Sequence, residues 1–312
     1  MDRSSDIVII GGGIVGTASA YYLSEAGAKV IILERDALGS GASGHGAGGF
    51  GVPLHWAEPS FHANFMSEAV RYLRYSAPKI AEESGIDILM REMPWLEVAR
   101  SQATWDYMKE WAPKSGHTLL TTEDVLRIEP RLAGNILGGT IEEGAGQLDA
   151  YRMTLANAKA AEKLGAELVI GEATGICMTG GKVTGIQSSV GFIGCDSAIL
   201  TMGAWTGQAK AWTNFPLLVG ALKGEILTLR SPDEDYWPYW VSSYETTDDE
   251  ELPIYLHRRG NGLIYAGTTA EPGIFDSIPT IAARDGILMR AARMMPSIEK
   301  AELVEHLAGP RP

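Results

Sequence analysis

The sequence has little cysteine. Among its 312 residues only Cys177 and Cys195 are cysteines, and both stand in apolar, strand-like stretches. No second pair of cysteines is present to complete a zinc site. We therefore expect no metal centre, and we expect both thiols to be reduced and buried in a cytoplasmic protein.

Positive charge is also scarce. The chain has 26 lysine and arginine residues against 39 aspartate and glutamate residues, a formal net charge of −13, and it contains no basic run. Such a chain offers few cations that could displace counterions from a phosphate backbone, and it repels anionic lipids. The composition argues against nucleic acid or an anionic membrane as a partner.

Long apolar runs are missing as well. The first begins at Ile7 and is interrupted at Gly11, too soon for the apolar region of a signal peptide. No later run reaches the roughly 18 uninterrupted apolar residues that a membrane-spanning helix requires. We predict no transmembrane segment and a cytoplasmic location.

What the sequence does contain is enough apolar material for a large core, at 45% hydrophobic residues, and its length favours two lobes. Residues 6–10 form a short apolar run typical of a buried parallel strand. Residues 14–26 have helical periodicity and end before Gly27, a typical C-cap, and 29–33 form the next strand. This order predicts a right-handed βαβ unit at the N-terminus.

The turn of this unit carries a glycine fingerprint. Gly11, Gly13 and Gly16 fit G-x-G-x-x-G. The first allows the tight turn, the second lets the backbone approach a pyrophosphate, and the third lets the helix pack on the strand. Ile14 and Val15 complete the first helical turn, whose free amide groups and dipole favour an anion.

Glu34 ends the second strand, at about the 20-residue interval that a dinucleotide fold requires. Its carboxylate is suited to accept hydrogen bonds from the ribose hydroxyls and to repel a 2′-phosphate. The alternative is a plain glycine turn followed by a solvated glutamate. The joint spacing of glycines and glutamate favours dinucleotide binding.

The choice between NAD and FAD depends on the segment after Glu34. Residues 38–50 read LGSGASGHGAGGF, and here the sequence resembles the flavoprotein family of glycine oxidase, sarcosine oxidase and D-amino-acid oxidase. In that family such a loop passes the pyrophosphate and reaches the isoalloxazine ring. The alternative is a flexible surface loop. The position of the loop directly after Glu34 favours FAD.

The resemblance extends over nearly the whole chain. Segments 146–149, 200–205, 216–226, 255–267 and 308–312 are similar to successive family motifs. The resemblance implies cofactor contacts, beyond the fingerprint, from Arg35, Gly41, Ala42, Ser43, His45, Ala47, Gly48, Gly49, Thr174, Gly203 and Trp205.

Two residues are candidates for the substrate site. Arg311, in A-G-P-R-P, is similar to the family arginine that binds the substrate carboxylate, and a guanidinium suits that task because it can donate two parallel hydrogen bonds. Pro310 replaces the usual bulky apolar residue. Tyr255 is similar to a tyrosine that faces the substrate. The alternatives are a solvated terminal charge for Arg311 and simple packing for Tyr255.

His45 has two interpretations. In the dimethylglycine- and sarcosine-dehydrogenase branch, a histidine in this loop bonds covalently to the flavin, and His45-Gly-Ala-Gly48 is similar. Such a bond requires a neutral imidazole as nucleophile. The other interpretation is a loop histidine that only hydrogen-bonds near the cofactor, as glycine oxidases lack the linkage.

The predicted fold class is α/β: a Rossmann-like FAD-binding domain with a second α+β substrate domain built on an antiparallel sheet. We assign 1–88, 149–215 and 304–312 to the first domain and 89–148 and 216–303 to the second. Trp237, Tyr239 and Trp240 are expected either to wall the substrate pocket or to pack in a core. The acidic run 248–251 is expected to be a solvated turn.

Family members normally continue for some tens of residues beyond the R-P motif, so the chain is expected either to be a fragment or to lack part of the flavin site. The leading expectation is oxidation of a small amino acid or N-methylated amino acid, with a small-molecule substrate and homo- or hetero-oligomeric assembly. Two alternatives stay open, oxidation of a 2-hydroxy acid or glycerol phosphate and a non-catalytic or electron-conducting flavoprotein subunit. The electron acceptor stays open too.

Overall fold

The computed structural model describes residues 3–54, 60–213, 216–231, 237–246 and 251–312. Most of the acidic run, 248–250, lies outside the described residues. The helices are α1 (Ile14–Glu25), α2 (Ala42–His45), α3 (Phe61–Ser84), α4 (Gln102–Ser115), α5 (Thr122–Ile128), α6 (Ala150–Lys163) and α7 (Ile281–Met294). The segments Gly203–Ala211 and Pro296–Lys300 are 3₁₀-helical.

The strands of the first half of the chain are β1 (Arg3–Ile10), β2 (Val30–Glu34), β3 (Gly49–Phe50), β4 (Arg91–Glu92), β5 (Trp95–Ala99), β6 (Thr118–Thr121), β7 (Gly138–Glu142) and β8 (Gly146–Gln147). Those of the second half are β9 (Glu167–Ile170), β10 (Ala173–Thr179), β11 (Lys182–Ser188), β12 (Gly191–Leu200), β13 (Leu222–Arg230), β14 (Trp240–Thr246), β15 (Glu251–Arg258), β16 (Ile264–Gly267), β17 (Glu271–Pro272) and β18 (Glu302–Arg311).

Within the described residues, the N-terminal unit belongs to a six-stranded sheet of order β10-β11-β12-β1-β2-β9. Strands β12, β1, β2 and β9 are parallel, and β10 and β11 form an antiparallel hairpin at one edge. All five residues of β2 are buried, as expected for a parallel strand covered on both faces. The predicted βαβ unit is therefore present.

One face of this sheet is covered by α1, α3 and α6. Tyr21 of α1, Ile80 of α3 and Ala160 of α6 lie in one core cluster with Ile9 and Ile32 of the sheet. Helix α3 begins after the N-cap Ser60 and ends at Gly85, which is in the left-handed conformation. Helix and sheet thus share one hydrophobic core, as the apolar periodicity predicted.

A nine-stranded sheet, counted over the described residues, forms the second lobe, in the order β17-β13-β16-β15-β14-β5-β7-β6 with β18 also paired to β13. Its core packs against α5 and α7. A small sheet of order β3-β8-β4 connects the loop after β2 to this lobe. The two main sheets agree with the predicted α/β class with a second, mainly antiparallel sheet.

One expectation needs correction. Segment 304–312, assigned to the FAD-binding lobe, lies almost entirely in β18, which pairs with β13 along its length from Arg230↔Glu302 to Leu222↔Arg311. Its hydrogen-bonding partners are therefore those of the large sheet. Strand β14 begins only at Trp240, and Pro238 before it has no amide N–H to donate to a ladder. The remaining domain division stays a prediction.

Candidate flavin and substrate site

The glycine fingerprint lies where the parallel strands of the six-stranded sheet end. Gly11 follows β1 with φ +111°, and a Cβ there would lie 2.4 Å from the carbonyl oxygen of Thr201 after β12. A Cβ on Gly16 would lie 2.0 Å from the carbonyl oxygen of Gly11. Only glycine fits these close approaches, and they place the turn at the carboxyl edge of the sheet, where α/β folds bind ligands.

Thr201 is a residue that the sequence analysis quoted within a motif but did not assign to the site. Its hydroxyl donates to the carbonyl oxygens of Ile10 (3.0 Å) and Gly11 (2.9 Å), and its amide donates to Ile10 O (2.9 Å). Thr201 therefore fixes the glycine turn to the neighbouring strand end. Its position directly after an apolar strand, two residues before Gly203, was the available signal.

The N-terminus of α1 is suited to hold an anion. Gly13 is its N-cap residue and provides no side chain, and the first turn contains no acidic residue. The Ser43 hydroxyl, from the glycine-rich loop, accepts the Ile14 amide at 2.9 Å. Val15 is 64% exposed, so the first turn faces solvent. The free amides and helix dipole of this turn fit a pyrophosphate.

Glu34 occupies the position expected for a ribose-binding carboxylate. Its side chain is buried and accepts the amide of Gly12 at 2.6 Å and that of Asp36 at 2.8 Å. These two bonds orient the carboxylate beside the glycine turn. Thr174, an exposed residue of β10, stands three residues beyond Gly171, whose amide donates to the carbonyl oxygen of Glu34. Its contact with the cofactor stays a prediction.

Part of the glycine-rich loop is helical. Ala42–His45 form one helical turn after Gly41. Further on, Gly48 has φ +79°, and a Cβ there would lie 1.9 Å from the carbonyl oxygen of Leu148. The loop is therefore held against the entry to α6, and Ala47 stands just before this contact.

His45 contacts the last strand of the large sheet. A Cβ on Gly309 of β18 would lie 3.3 Å from the His45 Nδ1. The same nitrogen lies 3.0 Å from the carbonyl oxygen of Gly41, which can only accept a hydrogen bond. Nδ1 therefore carries the proton in the neutral ring and Nε2 carries the lone pair.

Trp205 lies beside the start of the same loop. The Arg35 guanidinium carbon is 5.1 Å from the centroid of the Trp205 ring, and a Cβ on Gly41 would lie 3.6 Å from that ring. Gly203, two residues earlier, has φ +55° and allows the chain to turn from β12 into the 3₁₀ segment. The structure thus brings together Arg35, Gly41 and Trp205 from three separate segments.

Arg311 lies at the end of β18 opposite Leu222 of β13. Its Nη2 donates to the carbonyl oxygen of Thr269 at 2.7 Å, and its guanidinium carbon would be 2.9 Å from a Cβ on Gly224. The absence of a side chain at Gly224 makes room for the guanidinium. Arg311 is part-buried rather than a freely solvated terminal charge.

Tyr255 lies on β15, near Arg311. Its hydroxyl oxygen would be 2.5 Å from a Cβ on Gly267 of β16, so the phenol extends across the neighbouring strand. Burial raises the pKa of the Tyr255 phenol, while the positive charge of Arg311 acts in the opposite direction. Tyr255 is therefore a neutral hydrogen-bond donor at neutral pH, close enough to Arg311 to sense its charge.

An aromatic cluster on the large sheet contacts the glycine-rich loop. Trp240 is stacked on His257 with ring centroids 3.9 Å apart, and its ring would be 2.5 Å from a Cβ on Gly49. Burial, followed by the charges of Arg259 and Arg91, lowers the pKa of His257 well below its ordinary value, so this imidazole is neutral. Trp237, by contrast, packs in the core of the large sheet.

Comparison with known proteins identifies this architecture. The family model described as "FAD dependent oxidoreductase" (DAO) matches residues 6–312. The chain belongs to the DAO family of FAD-dependent oxidoreductases. The predicted cofactor and the predicted enzyme class, an oxidoreductase of the amine- and amino-acid-oxidising family, are confirmed.

The relatives of this oxidoreductase include a glycine oxidase from Geobacillus kaustophilus, 28% identical over 320 residues that cover 100% of this chain and 82% of the relative. The crystal structure of glycine oxidase from Geobacillus kaustophilus superposes with a TM-score of 0.92 at 27% identity, covering 99% of this chain and 83% of that one. A 4-methylaminobutanoate oxidase (formaldehyde-forming) from Paenarthrobacter nicotinovorans is 30% identical over 277 residues, which are 86% of this chain and 32% of that protein.

The glycine turn, the N-terminus of α1 and Glu34 fit the pyrophosphate and ribose of FAD, and Gly41–Gly49 would follow the cofactor toward its flavin ring. In the part of the chain that the structure describes, none of the helices combines the length and apolar character needed to cross a membrane.

Proposed function

We propose that this flavoenzyme oxidises a small amino acid or N-methylated amino acid, of the glycine, sarcosine or D-amino-acid type. The observation that carries the proposal is Arg311, part-buried beside Gly224 and close to the neutral phenol of Tyr255. A part-buried cation next to a neutral donor is a suitable partner for a carboxylate. The names of the relatives, an oxidase of glycine and an oxidase of a methylamino acid, support the same substrate class.

The residues of the chain have separate tasks in this proposal. Arg311 binds the substrate carboxylate with two parallel hydrogen bonds, and the Tyr255 hydroxyl donates a further one. Trp240, packed on Gly49, excludes water from the side of the glycine-rich loop. FAD, when bound, supplies the acceptor for the hydride that leaves Cα or the N-methyl group, and the resulting imine hydrolyses in water.

The proposal is tested by anaerobic reduction of the purified protein. We expect glycine, sarcosine or D-alanine to bleach the visible flavin absorbance. Hydrolysis of the imine should release ammonia or methylamine and an oxo acid when the hydride leaves Cα, or formaldehyde and the demethylated amino acid when it leaves the N-methyl group. Lactate and glycerol 3-phosphate are the matched substrates without an amine. If only these two reduce the flavin, the alcohol-oxidising alternative replaces the proposal. If none of the five compounds reduces the flavin, the result supports the alternative of a non-catalytic flavoprotein subunit.

For the link to the cofactor we expect a non-covalent complex, in which His45 only hydrogen-bonds in the loop. Acid precipitation should therefore leave the yellow colour in the supernatant. A yellow pellet from the native protein, together with a colourless pellet from His45→Ala, would establish a bond through His45 instead. The comparison is informative because the Nδ1 contact to Gly41 leaves Nε2 as the nitrogen with the lone pair.

A further inference from the structure

A cleft of about 470 Å³ opens at the end of β15, beside β4. Three arginines line it, Arg91, Arg258 and Arg259, together with the aromatic side chains of Trp237 and Tyr239. None of the residues assigned above to the cofactor or to the substrate carboxylate is among its lining residues. The cleft therefore offers chemistry that the proposed function does not use.

Two buried polar atoms of the lining residues have no hydrogen-bond partner in the described part of the chain. They are Nη2 of Arg91 and Nε1 of Trp237, and Trp237 is only 4% exposed. Arg91 uses its Nε, which donates to Gln147 Oε1 at 3.0 Å. Both unpartnered atoms can donate but cannot accept. Because a buried donor without a partner costs free energy, the cleft is suited to a ligand that supplies acceptors.

The charges in the cleft also favour a ligand that accepts hydrogen bonds, since the three arginines that line it are positive. Arg91 and Arg258 both line the cleft. Burial lowers the pKa of Arg91, and the positive charge of Arg258 lowers it further. The neighbouring carboxylate of Glu92 accepts from both terminal nitrogens of Arg74, at 2.6 and 2.8 Å. In a chain with a net charge of −13, a local concentration of arginine attracts anions.

The guanidinium of Arg259 is paired with Asp149, the N-cap of α6, and also contacts the hydroxyl of Tyr265. The Nε of Arg258 donates to the carbonyl oxygen of Gly262 at 3.1 Å. The acidic side chain of Glu143, which also lines the cleft, is exposed to solvent. The binding capacity for an anion is therefore centred on Arg91, whose Nη2 has no partner among the described residues.

The walls of the cleft restrict the anion further. Met93, Pro94, Trp237, Pro238 and Tyr239 are mostly apolar surfaces. Such walls can cover a flat apolar body, but they cannot solvate the additional oxygens of a phosphate dianion. A carboxylate matches the planar guanidinium and leaves no further charge to satisfy.

We propose that this cleft binds a small carboxylate with a flat apolar body, at a site separate from Arg311. The carboxylate accepts hydrogen bonds from Arg91 and from the Nε1–H of Trp237. The apolar body lies against the rings of Trp237 and Tyr239. This site is independent of the proposed amino-acid oxidation, because it requires neither turnover nor the substrate residues.

The test uses 4-fluorobenzoate as the probe and ¹⁹F NMR titration of the full chain as the measurement. Loss of a hydrogen bond from a charged donor should weaken probe binding in Arg91→Gln at least about tenfold. Trp237→Phe keeps an aromatic ring but removes the indole Nε1–H, and we expect it to weaken probe binding about threefold to tenfold. Arg71→Gln, at an exposed arginine paired with Glu68, should bind the probe as the native protein does.

Two further arms make the outcome decisive. Arg311→Lys should leave binding of 4-fluorobenzoate in this cleft unchanged. If Arg311→Lys loses all binding of the probe while Arg91→Gln binds it with native affinity, the proposal is overturned. Inorganic phosphate should not displace the probe at equal concentration, and equal displacement would overturn the choice of a carboxylate. Near-ultraviolet circular dichroism checks folding of each variant. If Arg91→Gln is misfolded, Trp237→Phe decides, and native affinity in that variant contradicts the proposal.

Discussion

Replacing Arg311 with lysine is expected to lower kcat/KM for the amino-acid substrate by about 100-fold. Lysine keeps the positive charge but cannot donate the two parallel hydrogen bonds that a guanidinium gives to a carboxylate, and each charged hydrogen bond contributes roughly 1.5–3 kcal/mol. Steady-state kinetics with glycine or sarcosine, normalised to bound flavin, measures the effect.

Arg284→Lys is the matched control for Arg311→Lys. Arg284 lies on α7, is partly exposed and pairs with Asp285, so the same substitution there should leave kcat/KM within about twofold of the native value. The flavin content separates a loss of substrate binding from a loss of folding, because Arg311→Lys should bind as much flavin as the native protein. If Arg311→Lys stays within threefold of native kcat/KM, Arg311 does not hold the substrate.

Replacing Gly16 with alanine is expected to abolish stoichiometric FAD binding and to destabilise the fold. The new Cβ would lie 2.0 Å from the carbonyl oxygen of Gly11 and 2.7 Å from the Thr201 hydroxyl, so the turn and the start of α1 must move apart. Overpacking of this kind costs about 1–3 kcal/mol of unfolding free energy, and the displaced turn no longer fits a pyrophosphate. Urea unfolding and the ratio of flavin to protein measure the two effects.

The control for this change is Gly134→Ala. A Cβ at Gly134 meets no atom within 4 Å and its φ is not in the left-handed region, so stability and flavin content should be native. Native flavin content in Gly16→Ala would show that the close approach is relieved without loss of the site.

Much of the FAD-binding lobe could be predicted because its signals are local. An apolar strand, a glycine turn and a helical period determine the βαβ unit over about 30 contiguous residues, and β2 and α1 have nearly the predicted bounds. Turn residues and apolar periodicity are both signals that depend only on residues close together in the sequence.

The second lobe was less predictable. Helices α4, α5 and α7 were not predicted, although Ser101, Thr121 and Thr280 cap them with side-chain hydrogen bonds. Helix α5 has only seven residues and α4 contains Pro113 near its end, whereas α7, with 14 residues, has neither feature. Short helices owe most of their stability to packing on a sheet, and packing is not visible in local periodicity.

The candidate site depends on distant pairs. Arg311 fits beside Gly224 because β18 pairs with β13 across about 90 residues of sequence, and Trp240 reaches Gly49 across about 190. The sequence suggested Arg311 and Tyr255 only through a family resemblance. The stack of Trp240 on His257 and the arginine cleft carried no sequence signal, since their members are scattered through several segments.

The sequence by itself determined the features that depend on neighbours in the chain. These are the glycine turn, the helix N-terminus behind it, the carboxylate of Glu34 and the absence of long apolar runs. Only the tertiary structure decided that Thr201 fixes the turn, that segment 304–312 pairs with the large sheet, and that three arginines meet in one cleft. The reason is physical: strand pairing and side-chain packing join residues according to their positions in space.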